Sequence, residues 1–253
     1  MMENSASYRD IDLILAEKQK IIEKLQKENQ SLLKIISHDI RAPFTQLFAM
    51  MQLLDLENGD EINPGQRHYF DRMYHSLANG MEMVKNLHDI RSLDEDKITI
   101  VKEDVRLIPI IEKVSQSFSK LAGLKSIKIS FEKGSLDPDI QTDSYVLEKI
   151  LSCVLSNAIK YPEDGTEVRI KLEQRGEEVV IIYEDGGPGI SDEELPLIFE
   201  KYTKLSTIPT MGESTTGLGM YLAKSFVELI DGKIEIGNIS DNGGLRVRIL
   251  LPV

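Results

Sequence analysis

Val179-Val180-Ile181-Ile182-Tyr183-Glu184-Asp185-Gly186-Gly187-Pro188-Gly189-Ile190 is the stretch that decides how this chain is read. A short apolar run rich in β-branched residues reads as a buried strand. It ends on a carboxylate, Asp185, and three glycines follow within four residues. Glycine has no Cβ, so a backbone built from it can approach a flat or phosphorylated ligand closely. A fixed Asp at the lip of such a turn accepts hydrogen bonds from an exocyclic amine such as that of adenine. Alone, Asp-x-Gly-x-Gly also describes many ordinary tight turns. Two neighbours change its weight. Gly217-Leu218-Gly219 opens a helix about thirty residues later, and Ser156-Asn157-Ala158-Ile159-Lys160-Tyr161 lies about thirty residues earlier.

Working outward from that strand, short β-rich runs alternate with helical patterns from Ile98 onward. Strands are predicted at 98–101, 127–131, 168–173, 179–184, 233–236 and 245–251, with hairpin-like turns at 173–178 and 239–244. Helices are predicted at 108–121, 144–160 and 217–230. The order of elements predicts an α+β sandwich, a mixed sheet covered by helices on one face. Between Gly189 and Gly217 a short helical patch, 192–202, leads into a Ser/Thr-rich stretch, 205–216. Long irregular segments in compact domains are often functional lids.

The first ninety-six residues have a different texture. Between residues 10 and 57 there is no glycine, and Pro43 is the only proline. Leu15, Ile22, Leu25, Asn29, Leu32 and Ile36 keep steps of three, four and seven residues, a coiled-coil seam with a polar Asn that favours one register. An amphipathic helix packed within its own chain is the plainer alternative. Asn58-Gly59-Asp60 breaks the pattern, and Asn63-Pro64 restarts a helix with Asn as cap and Pro in the first turn. Its apolar face runs through Phe70, Met73, Leu77, Met81, Val84, Leu87 and Ile90. So thin a hairpin needs a partner, and two copies make a four-helix bundle. The predicted division is a dimerising hairpin over 1–96 and an α+β domain over 97–253.

Composition closes off other classes. A formal net charge of −12 argues against a nucleic-acid surface, which needs a basic stripe. Cys153 is the only cysteine, so there is no internal disulfide framework, as suits a reducing cytoplasm. No apolar run is long enough to span a membrane, and the amino terminus lacks the profile of a secretion signal. The expectation is a cytoplasmic protein, or part of a longer one with an upstream sensor domain.

The three boxes together resemble the ATP-binding domain of sensor histidine kinases, the fold shared with DNA gyrase and the heat-shock chaperones. Upstream, Ser37-His38-Asp39-Ile40-Arg41-Ala42-Pro43-Phe44 is similar to the phosphoacceptor box of the same family. The resemblance covers nearly all of the chain from about residue 30 onward. It implies an ATP-dependent kinase of two-component signalling, a homodimer that autophosphorylates on His38 and passes the phosphoryl group to an Asp on the receiver domain of a response regulator.

The residues permit this chemistry. A neutral imidazole at His38 can attack the γ-phosphorus of ATP in line. In the seam register above, Ile36 points inward and His38 is carried towards solvent, while Asp39 can fix the tautomer. Pro43 is expected to kink the helix just beyond. By resemblance, Asn157 holds Mg²⁺ against the phosphates, and an amide oxygen is a reasonable ligand for that hard cation. Lys160 meets a phosphate, and Tyr161 lies along the nucleotide. Asp185 reads the adenine, Gly187 and Gly189 shape its pocket, and Ile190 walls it. Phe199 resembles the lid aromatic, with a core contact as the alternative, and Lys201 reaches the terminal phosphate. Gly217, Leu218 and Gly219 present backbone N–H groups at a helix start. His68, His75 and His88 lack such context and are read as surface or packing residues.

Three positions depart from the family pattern. Ala42 stands where a Thr or Asn often positions water, which puts phosphatase activity in doubt. Cys153 replaces a second Asn one turn before Asn157, and a neutral thiol is a poor Mg²⁺ ligand. Thr215 stands where a further Gly is frequent. Two rival readings follow. One is a catalytically silent dimeric scaffold. The other is a gyrase- or chaperone-type ATPase, which Cys153 disfavours because those enzymes carry a water-activating Glu there.

Overall fold

A computed structural model describes residues 15, 18–21, 24, 40–58, 63–95, 97–134, 138–213, 215–240 and 243–253. Most of the predicted coiled-coil seam lies outside these residues.

Two long helices form a hairpin, α1 (Arg41–Asn58) and α2 (Pro64–Asp94). Asn63 starts α2 with a full capping box: its side chain accepts from Gln66 N at 3.0 Å, and its own N–H donates to Gln66 Oε1 at 3.2 Å. The helices meet through Phe44 on Gly80 and through the rings of Phe48 and Tyr74, 5.1 Å apart. Met51, Phe70, Val84 and Ile90 are buried. Leu47, Met50, Leu53 and Leu54 of α1 remain at least half exposed. Pro43 stands near the start of the described helix, and the residues before it on which the expected kink would be judged lie outside the described ones.

The second unit begins with β1 (Glu103–Arg106), α3 (Leu107–Ser117), α4 (Ser119–Leu124), β2 (Lys128–Glu132) and β3 (Asp139–Thr142). It continues with α5 (Ser144–Lys160), β4 (Glu167–Arg175), β5 (Glu178–Glu184), α6 (Gly219–Leu229), β6 (Lys233–Ser240) and β7 (Gly243–Pro252). A five-stranded sheet runs in the order β2-β4-β5-β7-β6, and only β2 and β4 are parallel. Val179, Ile181 and Tyr183, alternate residues of β5, join one core with α3, α5 and α6. The opposite face of β5 is also buried, at Val180 and Ile182. No helix covers it. The register sets Lys171 and Arg248 beside Ile182, and Arg169 and Arg246 beside Glu184. Their stems cover the apolar positions while their charged ends meet carboxylates, Arg246 and Lys171 both reaching Glu184.

The central helix, α5, is held at both ends. Asp143 caps it by accepting from Val146 N at 3.0 Å, and its other oxygen accepts from Val101 N at 2.9 Å. At the carboxyl end the buried Lys125 donates to Ile159 O at 2.8 Å and Lys160 O at 3.0 Å, satisfying carbonyls that helix termini leave over. Burial pushes the Lys125 ammonium below its ordinary pKa, against the pull of Glu213, Asp164 and Glu163.

Three expectations are corrected. Residues 98–101 form no strand, because Val101 N–H is taken by a side chain and not by a ladder. The strand follows at Glu103–Arg106 and pairs with Asp139–Thr142, a pair absent from the sequence reading. The helix expected over 108–121 breaks at Phe118, which caps both α3 and α4. The patch at 192–202 shrinks to a 3₁₀ turn, Leu195–Leu197. There Glu194 is drawn away to Ser206 N and Oγ, both at 2.7 Å, which fastens the start of the Ser/Thr-rich segment instead of extending a helix.

Candidate nucleotide-binding site

Where β5 ends, a cavity opens between the sheet, α5 and the segment joining β5 to α6. Strand alternation places Asp185 on the face of Val179, Ile181 and Tyr183, at the floor of this cavity. Its Oδ1 accepts from Gly187 N at 2.8 Å and Leu245 N at 3.1 Å. Burial drives the carboxyl up to about 6, and the two N–H donors only partly offset this. A carboxylate so braced presents its second oxygen at little entropic cost.

The glycine turn is shaped by what surrounds it. A Cβ on Gly187 would stand 3.0 Å from Asp185 Oδ1. Gly189 has φ +77°, and a Cβ there would lie 2.8 Å from Asn238 Oδ1. Asn238 clasps the next residue, accepting from Ile190 N at 3.0 Å and donating to Ile190 O at 2.7 Å. Gly244 N donates to Gly187 O at 2.6 Å. The β6–β7 hairpin thus fastens the loop. Asn238 is a site-shaping residue that the sequence reading missed, and nothing local in β6 marks it.

Asn157, Tyr161, Asp185, Gly187, Gly189 and Ile190 line the main cavity. An adjoining recess is lined by Asn157, Lys160, Tyr161, Gly217 and Gly219. The two spaces share Asn157, Tyr161 and Thr215. Gly217 has φ +67°, with Thr203 O 2.4 Å from where its Cβ would be. A Cβ on Gly219 would come within 3.6 Å of Asn157 Oδ1, which places that amide oxygen beside the start of α6. Among the described residues no side chain caps α6, and helix starts of this kind favour anions. Helix α2 supplies the recess's other wall through Asn79, Glu82, Met83 and Asn86.

Other expected site residues stand elsewhere. Leu218 is fully buried in the core as the cap of α6 and lines neither space. Phe199 packs against the core, with Lys224 5.5 Å from its ring centre, and Ile198 takes the place on the cavity wall. This is the contact named as the alternative for Phe199. Lys201 bonds Asp94 Oδ1 at 2.6 Å and lies over the Tyr221 ring. Burial opposes its charge, but those bonds outweigh it and raise its pKa. His38 and Asp39 lie outside the described residues. His75, read as a surface or packing residue, is buried and bonds Glu213 Oε1 at 3.1 Å.

The donor set bears on the Mg²⁺ that the family resemblance implies. Asn157 offers a neutral oxygen at the junction of the two spaces. Burial pushes the Cys153 thiol up to about 12, so it stays protonated and supplies no ligand. Among the described residues no group of three His, Cys, Asp or Glu side chains could hold a metal. One amide suits a cation that keeps waters and phosphate oxygens as its other ligands.

Comparison with known proteins agrees with this geometry. Residues 142–253 match the family described as histidine kinase-, DNA gyrase B- and HSP90-like ATPase. The sensor protein KdpD of Clostridium acetobutylicum is 28% identical over 231 residues, 90% of this chain and 25% of that protein. The signal transduction histidine-protein kinase BaeS of Escherichia coli is 26% identical over 238 residues, 92% of this chain and 48% of BaeS. The chain therefore spans about a quarter to a half of the length of these relatives. Full-length ShkA, solved in complex with AMPPNP, shares the fold with a TM-score of 0.61 at 22% identity, over 88% of this chain and 45% of ShkA. Among the described residues no helix is long and apolar enough to cross a membrane. Residues 142–253 thus match the histidine kinase-, gyrase B- and HSP90-like ATPase domain, and over about nine-tenths of its length the chain is similar to sensor histidine kinases.

Proposed function

We propose that this chain is an ATP-dependent protein histidine kinase that autophosphorylates on His38 and passes the phosphoryl group to an Asp of a separate response regulator. The observation that carries the reading is Asp185, a buried carboxylate braced by two backbone N–H groups at the floor of a cavity that continues past Asn157 to the start of α6. A base seated on Asp185 directs its phosphates towards Asn157, Lys160, Gly217 and Gly219. Asn157 would hold Mg²⁺, which neutralises phosphate charge as the γ-phosphoryl departs. A ring nitrogen of His38 forms the new P–N bond as the bond from the γ-phosphorus to the bridging oxygen breaks and ADP leaves. Asp39 orients the other nitrogen and accepts its proton as positive charge develops on the ring. We place the hairpin over residues 1–96 and the catalytic domain over 97–253. The half-exposed apolar positions of α1 support a homodimer in which two hairpins close a four-helix bundle.

The test follows label from γ-labelled ATP onto the chain and then onto an added receiver domain. The expected result is acid-labile label on the chain that declines as the receiver gains it. A chain that binds ATP and remains unlabelled would identify a silent scaffold instead. With Ala42 four residues after His38, label on the receiver is expected to decay at the same rate with or without the kinase.

A further inference from the structure

Helix α2 carries a row of polar residues, His75, Asn79, Glu82, Asn86 and Asp89, at alternating steps of four and three. That spacing puts them on one face. His75, Asn86 and Asp89 are no more than 8% exposed. Burying such a row costs free energy unless each group finds a partner. Apart from His88 of α2 itself, 3.5 Å from Asp89, the charged partners described come from the nucleotide-binding unit. His75 bonds Glu213, Asp89 pairs with Lys149 of α5, and Asp94 beyond the row bonds Lys201 at 2.6 Å. Glu82 Oε1 accepts from Ser156 Oγ at 2.9 Å and from Lys160 Nζ at 2.7 Å.

The position of Glu82 is the informative one. It lines the recess opposite Asn157, Gly217 and Gly219, so a triphosphate entering there meets a carboxylate and a lysine already neutralised by it. Like charges close together in a half-buried space repel strongly. The base end is different, since no residue of α2 lines the cavity around Asp185. We infer that Glu82 is an autoinhibitory contact: docked α2 and the triphosphate of the nucleotide compete for Lys160. The inference rests on the nucleotide reading of the site. Competition is reciprocal, so MgATP releases α2 as firmly as docked α2 excludes MgATP. His75–Glu213 is a second grip on the same docked state, seven residues away along the helix.

The test compares Kd values of the whole chain for MgATP and for adenosine, which lacks phosphates. Glu82→Ala is expected to tighten MgATP about tenfold and leave adenosine within about twofold, which corresponds to a docked population of about nine in ten. His75→Gln loosens the docked state without touching Lys160 and is expected to act in the same direction. It keeps the test decisive if Lys160, left unpaired, unfolds the first variant. MgATP binding that is unchanged or weaker in both variants, with adenosine binding intact, overturns the competition. A wild-type chain that binds neither ligand overturns the nucleotide reading, and the inference falls with it.

Discussion

At the scale of single residues the account turns on Asp185. Its raised pKa means that the folded chain holds this proton more tightly than the unfolded chain does. Stability from this group is present below the unfolded value of 3.8 and is lost as pH rises through about 6. At pH 7 the burial cost stands almost in full, at about 3 kcal/mol. Asp185→Asn is therefore expected to raise the melting temperature at pH 7 while weakening MgATP at least about a hundredfold, read by calorimetry. In the wild type, MgATP affinity is expected to fall as pH drops below about 6, where the carboxylate is lost. Asp185 was legible in the sequence because strand alternation and the glycines after it fix its place. His75 was not. Its partner Glu213 lies 138 positions away, and no local pattern joins them.

At the scale of elements, backbone conformation and close packing set the expected effects. Gly217 sits at positive φ with Thr203 O 2.4 Å from its missing Cβ. Strained backbone of this kind costs ~1–3 kcal/mol per residue, and here the clash adds to it. Gly217→Ala is expected to lower stability by about that amount and abolish MgATP binding, while adenosine still binds at Asp185. Gly80 of α2 sets two effects against each other. Alanine gains up to ~1 kcal/mol of helix propensity. Its Cβ would stand 2.1 Å from Phe44 Cε1, and overpacking costs ~1–3 kcal/mol. Packing outweighs propensity, so Gly80→Ala is expected to destabilise the hairpin by about 1 kcal/mol in thermal melts. Long patterned elements such as α5 and β5 were legible within a residue or two. The β1–β3 pair was hidden because two four-residue strands in a separate two-stranded sheet leave almost no periodic signal.

At the scale of the whole molecule, the helical hairpin and the mixed sheet were legible from the change of texture near residue 97. How the hairpin docks was not. The contacts of Glu82, Asp89 and Asp94 each join residues 60 or more positions apart, and each reads locally as an ordinary charge on a helix surface. The same holds for the outer face of α1. Leu53→Glu with Met50→Glu is expected to convert a dimer to a monomer in sedimentation, since both side chains are more than half exposed in the single chain. Phosphate chemistry at His38 is reached most directly by one measurement. The whole chain and its His38→Gln variant are incubated with Mg²⁺ and γ-labelled ATP, and label is scored for acid lability and alkali stability. The account predicts acid-labile, alkali-stable label on the wild type and none on the variant, with MgATP affinity unchanged between them. Equal label on the variant would contradict it.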